Sequence, residues 1–223
     1  MNSLNLLIIE LIICFIMLII MYKKYKTEGI YTYSIISLIL SFYMSLKKVS
    51  IYNYDVNLGI IPLVTTFIAF NILIQKKGIE ETKKLLLTVL STTLISYFIF
   101  LFISYIDYSN INSFTSASYD NIFIDSLRIY FANIVTLLYG LLLNNKLYYY
   151  LKVIRNNIFI SNIFSTIIIQ FVASMIFGLV AYVFILDMTD IIKIIMIRYL
   201  ISLIVGILAT IPVYITKYIK EEK

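Results

Sequence analysis

The chain has no histidine and a single cysteine, Cys14, among its 223 residues. Zinc sites draw on His and Cys, the common general base at neutral pH is histidine, and a nucleophilic cysteine works beside one. The ordinary routes to metal-assisted hydrolysis, Ser-His and Cys-His chemistry are therefore closed. One cysteine makes neither an internal disulfide nor a metal site, and Cys14 lies inside an apolar run, where it reads as packing. The 6 glycines stand singly, at Gly29, Gly59, Gly78, Gly140, Gly178 and Gly206, so no glycine-rich loop is available to cradle a phosphate. Intramembrane aspartyl chemistry needs two facing acids, and only Glu10 clearly sits within an apolar run. An enzyme is the poor reading, and no cofactor or metal is expected.

Charge is scarce as well. With 13% charged residues, 61% hydrophobic residues and a mean hydropathy of +0.96, too little polar surface remains to cover a soluble globule of this size. The hydrophobic content falls in seven runs: Ser3–Tyr22, Ile30–Leu46, Val56–Gln75, Leu85–Ile106, Leu127–Leu143, Ile158–Leu186 and Ile191–Ile215. Each is near the ~20 residues that a helix needs to cross about 30 Å of hydrocarbon. The second is the least secure as a span.

Most of the 18 Lys and Arg residues lie in alternate gaps. Lys23, Lys24 and Lys26 follow the first run; Lys76, Lys77, Lys83 and Lys84 follow the third; Lys146, Lys152 and Arg155 follow the fifth; Lys217, Lys220 and Lys223 close the chain. The other gaps carry Asp55, then Asp107, Asp120 and Asp125, then Asp187 and Asp190, with Lys47 and Lys48 as one cationic pair. Loops rich in Lys and Arg stay on the cytoplasmic side, which places the N-terminus outside and the C-terminus inside. The net charge of +6 is then explained by loops facing anionic lipid, and nucleic acid is not an expected partner. The first run is not read as a cleaved signal peptide, because it carries Glu10, lacks a basic start and ends in YKKYK rather than a small-residue site. Asp107–Ser126, rich in Ser, Asn, Thr and Asp, reads as an external loop. The expected fold is an all-α, polytopic transmembrane bundle in one integral membrane domain over 1–223.

Polar groups inside hydrocarbon are costly and usually face the bundle interior or a cavity. Asn71 and Gln75, four residues apart, share one helix face. The fifth run and its end offer Asn133, Asn144 and Asn145; the sixth offers Ser165, Thr166 and Gln170; the seventh offers Arg198, Tyr199 and Ser202. Amides both donate and accept, which suits an uncharged heterocycle, while the plainer role is hydrogen bonding between helices. Glu10 and Arg198 lie at similar depth from the outer face. Two arrangements are open: a charge pair or shared cavity inside the bundle, or Arg198 reaching outward with Glu10 near the headgroups.

The order of these features resembles the VUT (vitamin uptake transporter) family, which includes queuosine precursor transporters. YKKYKTEGIY is followed by Lys47, by Leu58-Gly59, and by the stretch Asn71, Gln75, Gly78, where the family carries Asp, Glu, Gly at the same spacing. Arg128 opens RIYFANIVTLLYGLLLNNKLYYYLK, with Leu141 at the family's Gln position and Asn144 at its Asp position. Ser165-Thr166, Gln170 and Phe177 match the next helix, with Ala173 in place of an Asp; Tyr199, Pro212 and Tyr214 match the last, with Ser202 in place of a Lys. The scaffold marks are kept while the charged positions are neutral, and Arg198, one turn before Ser202, is available as the remaining cation.

The resemblance implies a six-helix transport core from residue 30 onward, preceded by one extra helix in 1–29, in a bacterial plasma membrane. It implies secondary or facilitated uptake of a 7-deazaguanine such as 7-cyano- or 7-aminomethyl-7-deazaguanine. The implied substrate-binding residues are Asn71, Gln75, Asn144, Ser165, Gln170, Arg198, Tyr199 and Ser202. A homo-oligomer is compatible with this reading. Two alternatives stand beside it: a substrate-binding subunit of an energy-coupling-factor importer, and a membrane protein that no longer transports. The first usually docks through small residues spaced along its first helix, and the first two runs here contain neither Ala nor Gly.

Overall fold

The computed structural model describes residues 3–45, 47–51, 54–103, 106, 113–155 and 157–219, with side chains unplaced over 113–126 and at a few strand and terminal positions. The helices are α1 (Ser3–Ser45), α2 (Ile60–Lys77), α3 (Ile79–Ile103), α4 (Ser113–Arg155), α5 (Ile158–Tyr182), α6 (Met188–Leu208) and α7 (Thr210–Tyr218). They form the expected helical membrane bundle, and six helical stretches among the described residues are long and apolar enough to cross a bilayer.

The first of those stretches contains two runs. Lys26 leaves helical geometry inside α1, with φ 52° and ψ −127°, a left-handed conformation that a non-glycine residue seldom adopts. A β-carbon on Gly29 would collide with the Met21 carbonyl, although eight residues of continuous helix would separate them by about 12 Å. Leu18 and Tyr22 of the first half likewise share one buried cluster with Ile30, Tyr33 and Leu38 of the second. The chain therefore doubles back at Lys26 into two packed arms, 3–25 and 27–45, and the second run spans beside the first.

The 27–45 arm carries Ser34, Ser37, Ser41 and Ser45 on one buried stripe with helical spacing. Ser37 Oγ donates to the Pro62 carbonyl at 2.8 Å, Ser41 Oγ to the Gly59 carbonyl at 2.7 Å, and Tyr33 Oη to Thr65 Oγ1 at 2.7 Å. Gly59 permits this approach, since a β-carbon there would run into the Ser41 carbonyl. In hydrocarbon such bonds and close backbone packing replace the hydrophobic drive that water supplies.

A short antiparallel hairpin, β1 (Lys48–Ile51) and β2 (Tyr54–Asn57), links α1 to α2, with Val49 opposite Val56. It is an addition to the all-α expectation and takes Val56 out of the third span, which begins at Ile60. The external loop expected over Asp107–Ser126 is helical from Ser113 onward; Asp107 lies outside the described residues. At 43 residues α4 is about 64 Å long, about twice the hydrocarbon thickness. Its polar N-terminal third marks emergence from the apolar layer, and a helix already nucleated extends at little cost despite turn-favouring residues.

The seventh run is broken. Pro212 has no N–H and its ring crowds the carbonyl four residues earlier, so the helix interrupts at Ala209 and restarts as α7. Burial sorts the helices. α2 contacts α1, α3, α4, α6 and α7, and 83% of its span is buried, against 17% for α1 and α3. It is also the least apolar span, because a helix enclosed by protein has no lipid contact to satisfy and carries Thr65, Thr66 and Asn71 instead.

Candidate functional site

Asn71 sits on the central helix, fully enclosed, and its two amide atoms reach opposite neighbours. Asn144 Nδ2 on α4 donates to Asn71 Oδ1 at 2.9 Å, and Asn71 Nδ2 donates to Asn162 Oδ1 on α5 at 3.0 Å. Asn162 Nδ2 passes the chain on, to Thr210 Oγ1 at 2.9 Å and to the Gly206 carbonyl at 3.3 Å. Gly206 lies at the α6/α7 break, where a carbonyl loses regular helical company and a side-chain donor can take it up. Gly206 also lets α5 come close, since a β-carbon would strike Thr166. One relay of amides thus ties α4, α2, α5 and the α6/α7 break together in the interior.

Two of its members, Asn71 and Asn144, are among the residues singled out from sequence. The hub, Asn162, was missed. Its signal was present: it lies three residues before Ser165, on the same face, and Ser165 Oγ donates to its carbonyl at 3.0 Å. Thr210 was missed because only the interrupted helix turns it toward α5.

Gln75 lies one turn inward from Asn71. It is half-buried, and its Oε1 is occluded without a hydrogen-bond partner. Its carbonyl and that of Ile74 accept from Lys152 Nζ at 3.0 and 3.1 Å, so a lysine from α4 covers the C-terminal carbonyls of α2. Lys76 Nζ does the same for α7, donating to the carbonyls of Lys217 and Ile219 at 3.0 and 2.9 Å. These two lysines, read from sequence as topology signals, also join helix ends, where a cation meets the negative end of the helix dipole.

A second polar group lies where α6 meets α5. Arg198 on α6 is 5% exposed and stacks its guanidinium on the Phe177 ring of α5, with Cζ 3.6 Å from the ring centre. Gln170, on the Phe177 face of α5, is buried. Ser202 is buried and returns its hydroxyl to the Arg198 carbonyl at 2.7 Å. Tyr199 is turned elsewhere, half-buried and edge-on to Phe171 with ring centres 5.5 Å apart.

No ion pair joins Glu10 to Arg198. Ion pairs among the described residues include Lys83 with Glu80, Lys84 with Glu81 and Lys193 with Asp190, all at helix ends. Glu10 is half-buried on the first arm, with Oε1 occluded and unpartnered. The reason is rotational: Ile197 and Ile201 of α6 pack with Leu7 and Leu11 of that arm, which turns Arg198 toward α5.

Residues 57–216 match the family model described as putative vitamin uptake transporter. The chain belongs to that family. The matched span takes in α2 through most of α7, hence both polar groups just described. No curated protein and no solved structure gives a match. As a vitamin uptake transporter family member, the chain is a multi-pass membrane protein whose partners are a small-molecule substrate and the lipid bilayer. Of the positions read from sequence as matching the family's motifs, 71 and 144, both amides, are in direct contact, while 173 and 202 lie on α5 and α6, the helices that carry Gln170 and Arg198.

Proposed function

We propose that this transporter carries a 7-deazaguanine precursor of queuosine, by secondary or facilitated transport, and that the interior amides are its recognition surface. The observation that carries the proposal is the Asn144–Asn71–Asn162 relay, three buried amides converging from three helices. A 7-deazaguanine presents donors and acceptors along one planar edge, and an amide offers both kinds in a matching plane. Amides that bond one another in the empty protein can exchange those bonds for ligand bonds without stranding a buried group, which is the condition for specific polar recognition in a low-dielectric interior. Gln75, with an unsatisfied oxygen one turn away, extends the same edge, and Ser165 holds Asn162 in place.

The enclosure of Asn71, Asn144, Gln170 and Ser202 also weighs against a bundle whose polar residues are scattered toward lipid. The test is uptake of labelled 7-cyano- and 7-aminomethyl-7-deazaguanine by a queuosine-auxotrophic host expressing the chain, beside an Asn71→Ala, Gln75→Ala double variant at equal membrane abundance. Uptake that the double variant loses supports the reading. Absence of uptake from folded wild-type protein refutes the substrate while leaving the fold and family untouched.

A further inference from the structure

Between α5 and α6 the chain reads Val183, Phe184, Ile185, Leu186, Asp187, and Met188 opens α6. Phe184 is 98% exposed, Ile185 61% and Met188 58%. Turns ordinarily carry small and polar residues, whereas here large apolar side chains project together from one end of the bundle. Phe184 stands at φ 69°, in the left-handed region where glycine is usual at a helix end and a bulky residue is strained. Strain kept at a fully exposed aromatic points to a use for the projecting ring.

The turn satisfies its backbone from within the protein. The Val183 N–H donates to the Leu179 carbonyl at 3.0 Å, and those of Ile185 and Leu186 share the Tyr182 carbonyl at 3.0 and 3.2 Å. Arg128 reaches over from α4 to two further carbonyls, that of Val180 through Nε at 3.1 Å and that of Val183 through a terminal nitrogen. Non-helical backbone enters an apolar layer only when its polar groups have such partners.

Two exposed stripes lead to the turn. Phe171, Met175 and Leu179 recur along α5 at helical spacing, as do Met188, Ile192 and Met196 along α6. Stripes of this kind on membrane spans face lipid, and Phe184 and Ile185 continue them beyond the helix ends. Depth agrees: α5, at 25 residues, is about 37 Å long, more than the ~30 Å of hydrocarbon and less than the ~40 Å that includes the headgroups. Its end therefore falls in the headgroup layer.

We infer that the α5–α6 turn is an interfacial anchor, in which Phe184, Ile185 and Met188 insert where headgroups meet acyl chains and Arg128 holds the backbone that presents them. Exposed Asp187 stays on the aqueous side, which sets the depth at this boundary and away from the hydrocarbon centre. The cation nearest in sequence, Lys193, is paired with Asp190, so attachment is apolar and does not depend on anionic lipid. The inference is independent of what the protein transports.

The chain has no tryptophan, so Phe184→Trp places a single reporter at the tip. The full chain carrying it is reconstituted in phosphatidylcholine nanodiscs whose lipids are brominated near either the headgroup end or the tail end of the acyl chain, with iodide as the aqueous quencher. Expected are blue-shifted emission, strong loss with the shallow bromine, weak loss with the deep one and little with iodide, unchanged when phosphatidylglycerol is added. Emission like that of tryptophan in water, with free quenching by iodide, overturns the inference. Blue-shifted emission that neither brominated lipid reduces overturns it as well, because a second copy or another protein then covers the tip. Met188→Trp, on the same patch, gives the same decision should Phe184→Trp fail to fold. In the Phe184→Trp background, Arg128→Gln is expected to exchange lipid quenching for iodide quenching, and Arg128→Lys to retain part of the lipid quenching. Lipid quenching left unchanged by Arg128→Gln rejects the role given to Arg128.

Discussion

Replacing Asn162 with alanine removes three hydrogen bonds at once: one accepted from Asn71 and two donated, to Thr210 and to the Gly206 carbonyl. Interhelical bonds in membrane proteins average about 0.6 kcal/mol, so the three together are worth about 2 kcal/mol. Each partner left behind is enclosed, which pushes the cost upward, because a stranded polar group without water loses more than the net value of its bond. Asn144→Ala removes only the bond to Asn71 Oδ1 and is expected to cost about 0.6 kcal/mol. The assay is reversible unfolding in mixed micelles with increasing denaturing detergent, read by helical circular dichroism on wild type, both single variants and the Asn71→Ala, Asn162→Ala double variant. In the double variant the shared bond is lost once, so its cost falls short of the sum of the two singles by about 0.6 kcal/mol or more. Equal costs for Asn162→Ala and Asn144→Ala, or strict additivity of Asn71→Ala and Asn162→Ala, would refute the description of Asn162 as the hub.

Gly29→Ala drives a β-carbon into the Met21 carbonyl, part of a backbone that cannot step aside, and should abolish accumulation of folded protein in the membrane. Gly78→Ala meets nothing within 4 Å and suffers only from φ +84°, so a loss of about 1 kcal/mol in the same unfolding assay is expected. Lys152→Met strips the cover from the α2 carbonyls of Ile74 and Gln75 and should cost about 1 to 2 kcal/mol, with a matching rise in amide exchange at the end of α2 by hydrogen-exchange mass spectrometry. Sidedness is testable because Cys14 is the single cysteine: in a Cys14→Ala background, Asp187→Cys should react with an impermeant maleimide in intact cells and Lys24→Cys only after lysis.

Fold class and topology were legible because they depend on sums over segments. Transfer of a run of Ile, Leu and Phe into hydrocarbon is decided by the run as a whole, and lysines act on sidedness through their number near a span end. The apolar runs accordingly reappear as helices, including 30–45 of the second run as the second arm of α1. The loop reading of Asp107–Ser126 did not carry over its helical part, since Ser, Asn and Asp report polarity as readily as turns. The interruption at Ala209 was available in Pro212 and went unread.

Of the site, the residue types and their depth were visible in the chain, while their partners were not. Asn71 and Asn144 were found because an amide in hydrocarbon is costly wherever it stands; Asn162 is as costly, and its spacing from Ser165 marked its face but not the partners that make it the hub. The Glu10 and Arg198 pairing drew on equal depth alone, and depth leaves rotation about the helix axis undetermined. Sequence by itself determined that this protein is a membrane helix bundle and where its spans run, because those follow from composition along one dimension. The tertiary structure decided that α2 is the buried centre, that Asn162 links four elements, and that Arg198 lies on Phe177 without an acid, because each follows from how helices are rotated and packed against one another.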